Sequence, residues 1–130
     1  MNADTELHEY LVLSRGQWDA DKSEQEIQGG IDRFYAWYQG LVAEGRVKAG
    51  HRLAREGKVV SQQRIADGPF AEAKELIGGY WIVRARSLDE AASLMSHNPT
   101  LAYGLSFEVR PIEHKRASAY DVTNETPTRR

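Results

Sequence analysis

The sequence predicts an α+β domain, a mainly antiparallel sheet that carries two helices on one of its faces. Three observations point there. Apolar residues recur at steps of two in short runs and at steps of three and four in two longer ones, in the order strand, long helix, hairpin strands, strand, short helix, strand. Both helical runs open with a capping signature, which marks where strand gives way to helix. The 130 residues are 41% hydrophobic and 28% charged, which suits one globular domain that needs no covalent staple.

Glu9 to Ser14 (EYLVLS) is short, apolar and partly β-branched, and it stops at Arg15-Gly16 as a first strand would. Ser23-Glu24-Gln25-Glu26 then matches a capping box, and Ile27, Ile31, Phe34, Tyr35, Tyr38, Leu41 and Val42 form one apolar stripe that Gly45 ends. Gly29-Gly30 inside this helix costs roughly 1–2 kcal/mol relative to alanine, so the first turn is irregular or another segment packs closely there. Arg46 to Leu53 and Lys58 to Ile65 read as two strands of a hairpin around Arg55-Glu56-Gly57. Asp67-Gly68-Pro69-Phe70 breaks the pattern, and Ala71 to Leu76 reads as one or two helical turns before Gly78-Gly79.

Tyr80 to Ala85 is the clearest strand. Ser87-Leu88-Asp89-Glu90 is a second capping box, opening a helix that ends by Asn98-Pro99. Leu105 to Ile112 closes the core, with Leu105, Phe107 and Val109 alternating against Ser106, Glu108 and Arg110. Two crossovers that place both helices on one sheet face give a ferredoxin-like plan. Tyr80-Trp81-Ile82-Val83 has large apolar groups pointing both ways, so the second face lacks a cover from this chain and self-association as a homodimer is expected.

The domain is expected over residues 9–112, with 1–8 a mobile leading segment and 113–130 a disordered tail rich in polar residues. Lys+Arg 17 against Asp+Glu 19 gives a formal charge of −2, too balanced for a nucleic-acid partner. The absence of cysteine removes disulfides, thiolate metal sites and cysteine nucleophiles. The polar, acidic start and the lack of a long apolar run predict a cytoplasmic protein with no membrane partner. No pair of histidines has ligand spacing, and neither a G-x-G-x-x-G nor a Walker pattern is present, so no metal and no cofactor is expected.

The run from Asp67 to Tyr80 (DGPFAEAKELIGGY) resembles the signature of the YCII-related family, in the branch named for its DGPF motif. Gly45, Gly57-Lys58-Val59-Val60-Ser61, Ser87-Leu88-Asp89-Glu90-Ala91, Pro99 and Glu108-Val109-Arg110-Pro111-Ile112 extend the resemblance over residues 9–112. It implies a ferredoxin-like domain that pairs sheet to sheet as a dimeric α+β barrel. Most members of this branch have no assigned reaction. Some relatives resemble dehydrochlorinases or isomerases of ring-cleavage products, and others accompany sigma-factor-like regulators. The wider family often carries a first-helix histidine paired with an aspartate, but here that stretch is Arg33-Phe34-Tyr35-Ala36-Trp37-Tyr38.

Asp67 is the leading candidate for acid–base work, as a carboxylate fixed by a turn and shielded by Phe70. The same aspartate would also serve simply to satisfy backbone N–H groups at that turn. His51 and Lys74 are the candidate assistants, and His51 stands where DGPF-type relatives more often show glutamine. Glu72 and Glu75, on one face of the short helical turn, are candidate ligand contacts. Phe34, Tyr35, Trp37, Tyr38, Tyr80 and Trp81 either form core or line a pocket for a ring-shaped ligand, and only one of Tyr80 and Trp81 can face the helices. Two functions are open. One is a cofactor-independent acid–base enzyme, isomerase or lyase-like, acting on a small organic acid. The other is a non-catalytic dimeric module that binds a ligand or a transcription-associated partner.

Overall fold

The computed structural model describes residues 6–68 and 76–128. Its elements in chain order are β1 (His8–Arg15), α1 (Glu24–Ala43), β2 (Val47–Arg52), β3 (Gly57–Val60), β4 (Ile65–Gly68), β5 (Ile77–Ala85), α2 (Leu88–Met95), a 3-10 helix (Pro99–Tyr103) and β6 (Ser106–Pro111). The main sheet has the order β2-β5-β1-β6, and every neighbouring pair in it is antiparallel. Both helices pack on one face. Leu41 of α1 and Ala91 and Met95 of α2 meet Tyr10, Val12, Val47, Trp81, Val83 and Ala85 of the sheet in a single buried cluster. The α+β arrangement and the one-sided helix layer follow the expected plan.

The caps explain why the helices start and stop where they do. Ser23 accepts the Glu26 N–H at 3.1 Å, and the Glu26 carboxylate accepts the Ser23 N–H at 3.0 Å, so both halves of the capping box form. At the far end Gly45 takes φ +77° and Arg46 N–H returns to the Leu41 carbonyl at 3.0 Å, a Schellman closure. The second box is only half formed. Ser87 accepts the Glu90 N–H, but the Glu90 carboxylate turns back to the Arg86 N–H at 3.4 Å and its guanidinium at 3.1 Å, because the arginine side chain offers a charged donor.

Two expectations about the middle of the chain are corrected. Lys58 to Ile65 is not one strand paired with β2. It folds on itself: β3 and β4 pair antiparallel as a separate two-stranded sheet, Val60 opposite Ile65, and Ser61 N–H closes the turn on the Arg64 carbonyl at 2.9 Å. The turn SQQR contains no glycine, proline, asparagine or aspartate, so it left no punctuation to read. Asp67-Gly68 belongs to β4 rather than to a turn. The helical turns expected over Ala71–Leu76 fall almost wholly outside the described residues.

Beta2 instead joins β5, and the junction is unusually close. The register shifts between Lys48 and His51, and a Cβ on Gly50 would lie 1.9 Å from the Tyr80 carbonyl oxygen. Opposite it, a Cβ on Gly79 would come within 3.0 Å of the His51 carbonyl oxygen. Gly79 therefore sits inside a strand because the neighbouring backbone needs the room, whereas a Cβ on Gly78 would meet, among the described residues, only the Ser14 hydroxyl oxygen, at 3.9 Å. Among the described residues no helix is long and apolar enough to cross a membrane.

Gly30 has the packing reason that its position in a helix asks for: a Cβ there would meet the Tyr103 ring at 2.8 Å, whereas one on Gly40 would meet nothing within 4 Å. Gly40→Ala is expected to stabilise the fold by about 0.5–1 kcal/mol and Gly30→Ala to destabilise it by about 1–3 kcal/mol, read from urea midpoints; an equal gain at both sites would contradict the Tyr103 contact. The two Ser23 hydrogen bonds, from its backbone first, lower the Glu26 pKa below the ordinary carboxylate range. That contribution is present above the unfolded value of roughly 4.3 and is lost as pH falls through the lowered one, so the thermal midpoint of Glu26→Gln should fall less than that of the natural protein on acidification.

Candidate functional site

One row of residues crosses all four strands of the main sheet on the helix-facing side. Arg52 of β2 stands opposite Gly79 of β5, Gly79 opposite Ser14 of β1, and Ser14 opposite Phe107 of β6. The two middle members are the smallest, so the row dips where the neighbouring row is filled by Trp81 and Val12. Helix α1 roofs the dip with Ile31, Phe34, Tyr35 and Tyr38, and Trp18, Thr100 and Leu105 close its ends. The result is a cavity of about 380 Å³, within the size range of small-molecule sites.

Its inner wall is aromatic and rigid. Trp81 is 6% exposed and has ring-centroid contacts with Phe34 at 5.4 Å, Tyr38 at 5.4 Å and Phe107 at 5.6 Å. Phe34 stacks on Tyr38 at 5.2 Å, and the Trp81 indole N–H donates to Met95 Sδ at 3.4 Å. Thr100 is tied down from below, since both its N–H (2.9 Å) and its hydroxyl (2.6 Å) donate to the Asn98 Oδ1. The edge of the cavity is polar and cationic: Gly50, His51 and Arg52 contribute to the lining, and no aspartate or glutamate does among the described residues. Such a lining suits a small apolar ring with an anionic substituent at the β2 side.

Of the residues singled out from the sequence, His51, Tyr80 and Trp81 come together here. Trp81 takes the helix face and Tyr80 the outer one, where its ring lies 6.0 Å from that of His51, its register partner. Asp67 is elsewhere. Its side chain is 82% exposed on β4 and pairs with Lys58, so the expected shielded, turn-held carboxylate is replaced by a solvated one with a lysine partner. Glu72, Lys74 and Glu75, like Phe70, lie outside the described residues.

Sequence reasoning missed Arg52, Ser14 and Thr100. For Arg52 half of the signal was available: strand alternation puts the neighbour of His51 on the opposite face, but the bulge at Gly50, which alternation does not disclose, decides which of the two turns toward the helix. The aromatic stripe proves to be both core and cavity wall, since Phe34 and Tyr38 pack on the buried cluster and also line the opening. Among the described residues no group of three or more histidine, cysteine, aspartate or glutamate side chains is placed to hold a metal ion.

Comparison with known proteins gives a family and little more. A curated relative, an uncharacterised protein of Rhizobium meliloti (strain 1021), is 42% identical over 52 residues, 37% of this chain and 40% of that one. The match thus spans well under half the length of that relative. Among solved structures the chain is similar to 5-chloro-2-hydroxyhydroquinone dehydrochlorinase from Burkholderia phenoliruptrix AC1100, in complex with 2,5-dihydroxybenzoquinone. The similarity has a TM-score of 0.46 at 18% identity and covers 82% of this chain and 95% of that one. The model of the YCII-related domain matches residues 9–115, which take in nearly all the elements described above, and the chain belongs to the YCII-related family.

Proposed function

We propose that this protein is a cofactor-independent acid–base enzyme, of the isomerase or lyase kind, that takes a small aromatic or otherwise planar organic acid into the cleft between α1 and the sheet. One observation carries the reading: an aromatic slot whose polar edge is cationic, with Arg52 there to hold an anionic group. The DGPF run places the chain, on this reading, in the DGPF branch of its family. The outer face of the sheet, on which no helix among the described residues packs and where Leu11, Leu13, Tyr80 and Ile82 are half-buried, supports working as a homodimer. Light scattering at micromolar concentration should then return twice the mass of one chain, and a persistent monomer would count against the pairing.

The second reading is the non-catalytic module, binding a ligand or a transcription-associated partner. What favours it is the missing acid–base pair: no acidic side chain lines the cavity among the described residues, and the His51 ring stands with Tyr80 on the other face of the sheet.

Titration with hydroxybenzoates, quinones and unsaturated dicarboxylates separates the two, because Trp18 and Trp81 in the wall report occupancy by fluorescence. Proton transfer is read independently as deuterium exchange into the bound compound in heavy water. The enzyme reading expects saturable quenching with exchange above the buffer rate, and Arg52→Gln should weaken the quenching by roughly 10-fold or more. Quenching without exchange in the natural protein would favour the module, and neither signal would sink both.

A further inference from the structure

The register shift at Gly50 has a chemical result at the cavity edge. In an undisturbed ladder the Gly50 N–H would be shared between strands, but here it donates to the Tyr38 hydroxyl oxygen at 3.1 Å. A phenol whose oxygen already accepts a hydrogen bond has its own O–H left to give, and among the described residues Tyr38 donates to none. The ring has little freedom to seek another partner. It is stacked on Phe34, set edge-on to Trp81 at 72° and to Tyr35 at 87°, and half-buried. Its hydroxyl is thereby held against β2 two residues from Arg52, and both residues line the same cavity.

We propose that Tyr38 is a specificity-determining donor that receives an oxygen on the ring of the ligand, so that the cleft selects hydroxylated aromatic acids over their unhydroxylated counterparts. This rests on the reading of the cleft as a site for small planar acids and narrows it. The division of labour follows from the chemistry of the side chains: the guanidinium of Arg52 meets the carboxylate, the phenol of Tyr38 meets the phenolic oxygen, and Trp81 and Phe107, in contact with each other, form the wall that the ring packs on. A donor fixed by a backbone N–H is worth more than a freely rotating hydroxyl, because its orientation is settled before the ligand arrives.

The test compares 4-hydroxybenzoate with benzoate, each titrated into the full chain by tryptophan fluorescence, for the natural protein and for Tyr38→Phe. The natural protein should bind the hydroxylated acid roughly 10-fold more tightly, and Tyr38→Phe should erase that preference while leaving benzoate affinity in place. If the variant weakens both acids alike, or the natural protein does not distinguish them, Tyr38 only shapes the wall and the proposal fails while the cleft reading stands. If the natural protein binds neither acid, the cleft reading fails and takes the proposal with it. Should Tyr38→Phe not fold, the amide resonance of Gly50 in the natural protein decides. It should shift on saturation with 4-hydroxybenzoate and not with benzoate, and equal shifts would overturn the assignment.

Discussion

The approach of β2 to β5 at Gly50 and Gly79 is the constraint on which the rest of the molecule's chemistry depends. Backbone atoms occupy the space that a side chain would take at either position, with a clearance of 1.9 Å at Gly50. That closeness forces the register shift, and the shift sets three things together. It turns Arg52 toward the helix, leaves His51 with Tyr80 on the other face, and frees a backbone N–H for Tyr38. The floor of the cavity then depends on Gly79 a second time, since its missing side chain is half of the dip roofed by α1. A single local feature of the backbone thus shapes both the void and its polar edge.

How much of this the sequence disclosed follows the range of the interactions involved. Features set within a few residues were legible: the Ser23 box, the Gly45 stop, the stripe from Ile27 to Val42 and the alternation of β5 all depend on local spacing. Gly30 was legible as a question, a glycine that needed a neighbour, but the neighbour is Tyr103, far along the chain. The β3–β4 hairpin was not legible, because its turn, closed from Ser61 onto the Arg64 carbonyl, carries no glycine, proline, asparagine or aspartate. Arg52 was hidden for a related reason. A bulge moves one residue out of step, and strand periodicity cannot say on which side of the bulge to restart the count.

The prominence of Asp67 in the DGPF run shows how a motif and a site can separate. The sequence places an aspartate before Gly-Pro, a composition that signals fixed geometry, and fixed carboxylates attract catalytic readings. In the fold the side chain stands in solvent against Lys58, on a hairpin outside the main sheet. An exposed pair of this kind contributes at most about 1 kcal/mol. The cavity takes only the far end of that run, Gly78-Gly79-Tyr80, and its other groups come from β2, β1 and α1.

Strand β1 sits in the middle of the sheet, and both of its neighbours come from the distal half of the chain: Tyr10 faces Val83 on one side and Pro111 on the other. During synthesis this first apolar segment has no ladder to join until β5 has emerged, and its second edge stays open until β6 has followed. The sheet is therefore assembled from sequence-distant pairings, and closing those long loops costs entropy before any contact offsets it. Helix α1, with a complete box at its start and a Schellman closure at its end, is the one long element able to organise by itself in that interval. The order of assembly written into the topology is helix first and sheet last, with the cavity appearing only when the final strand docks.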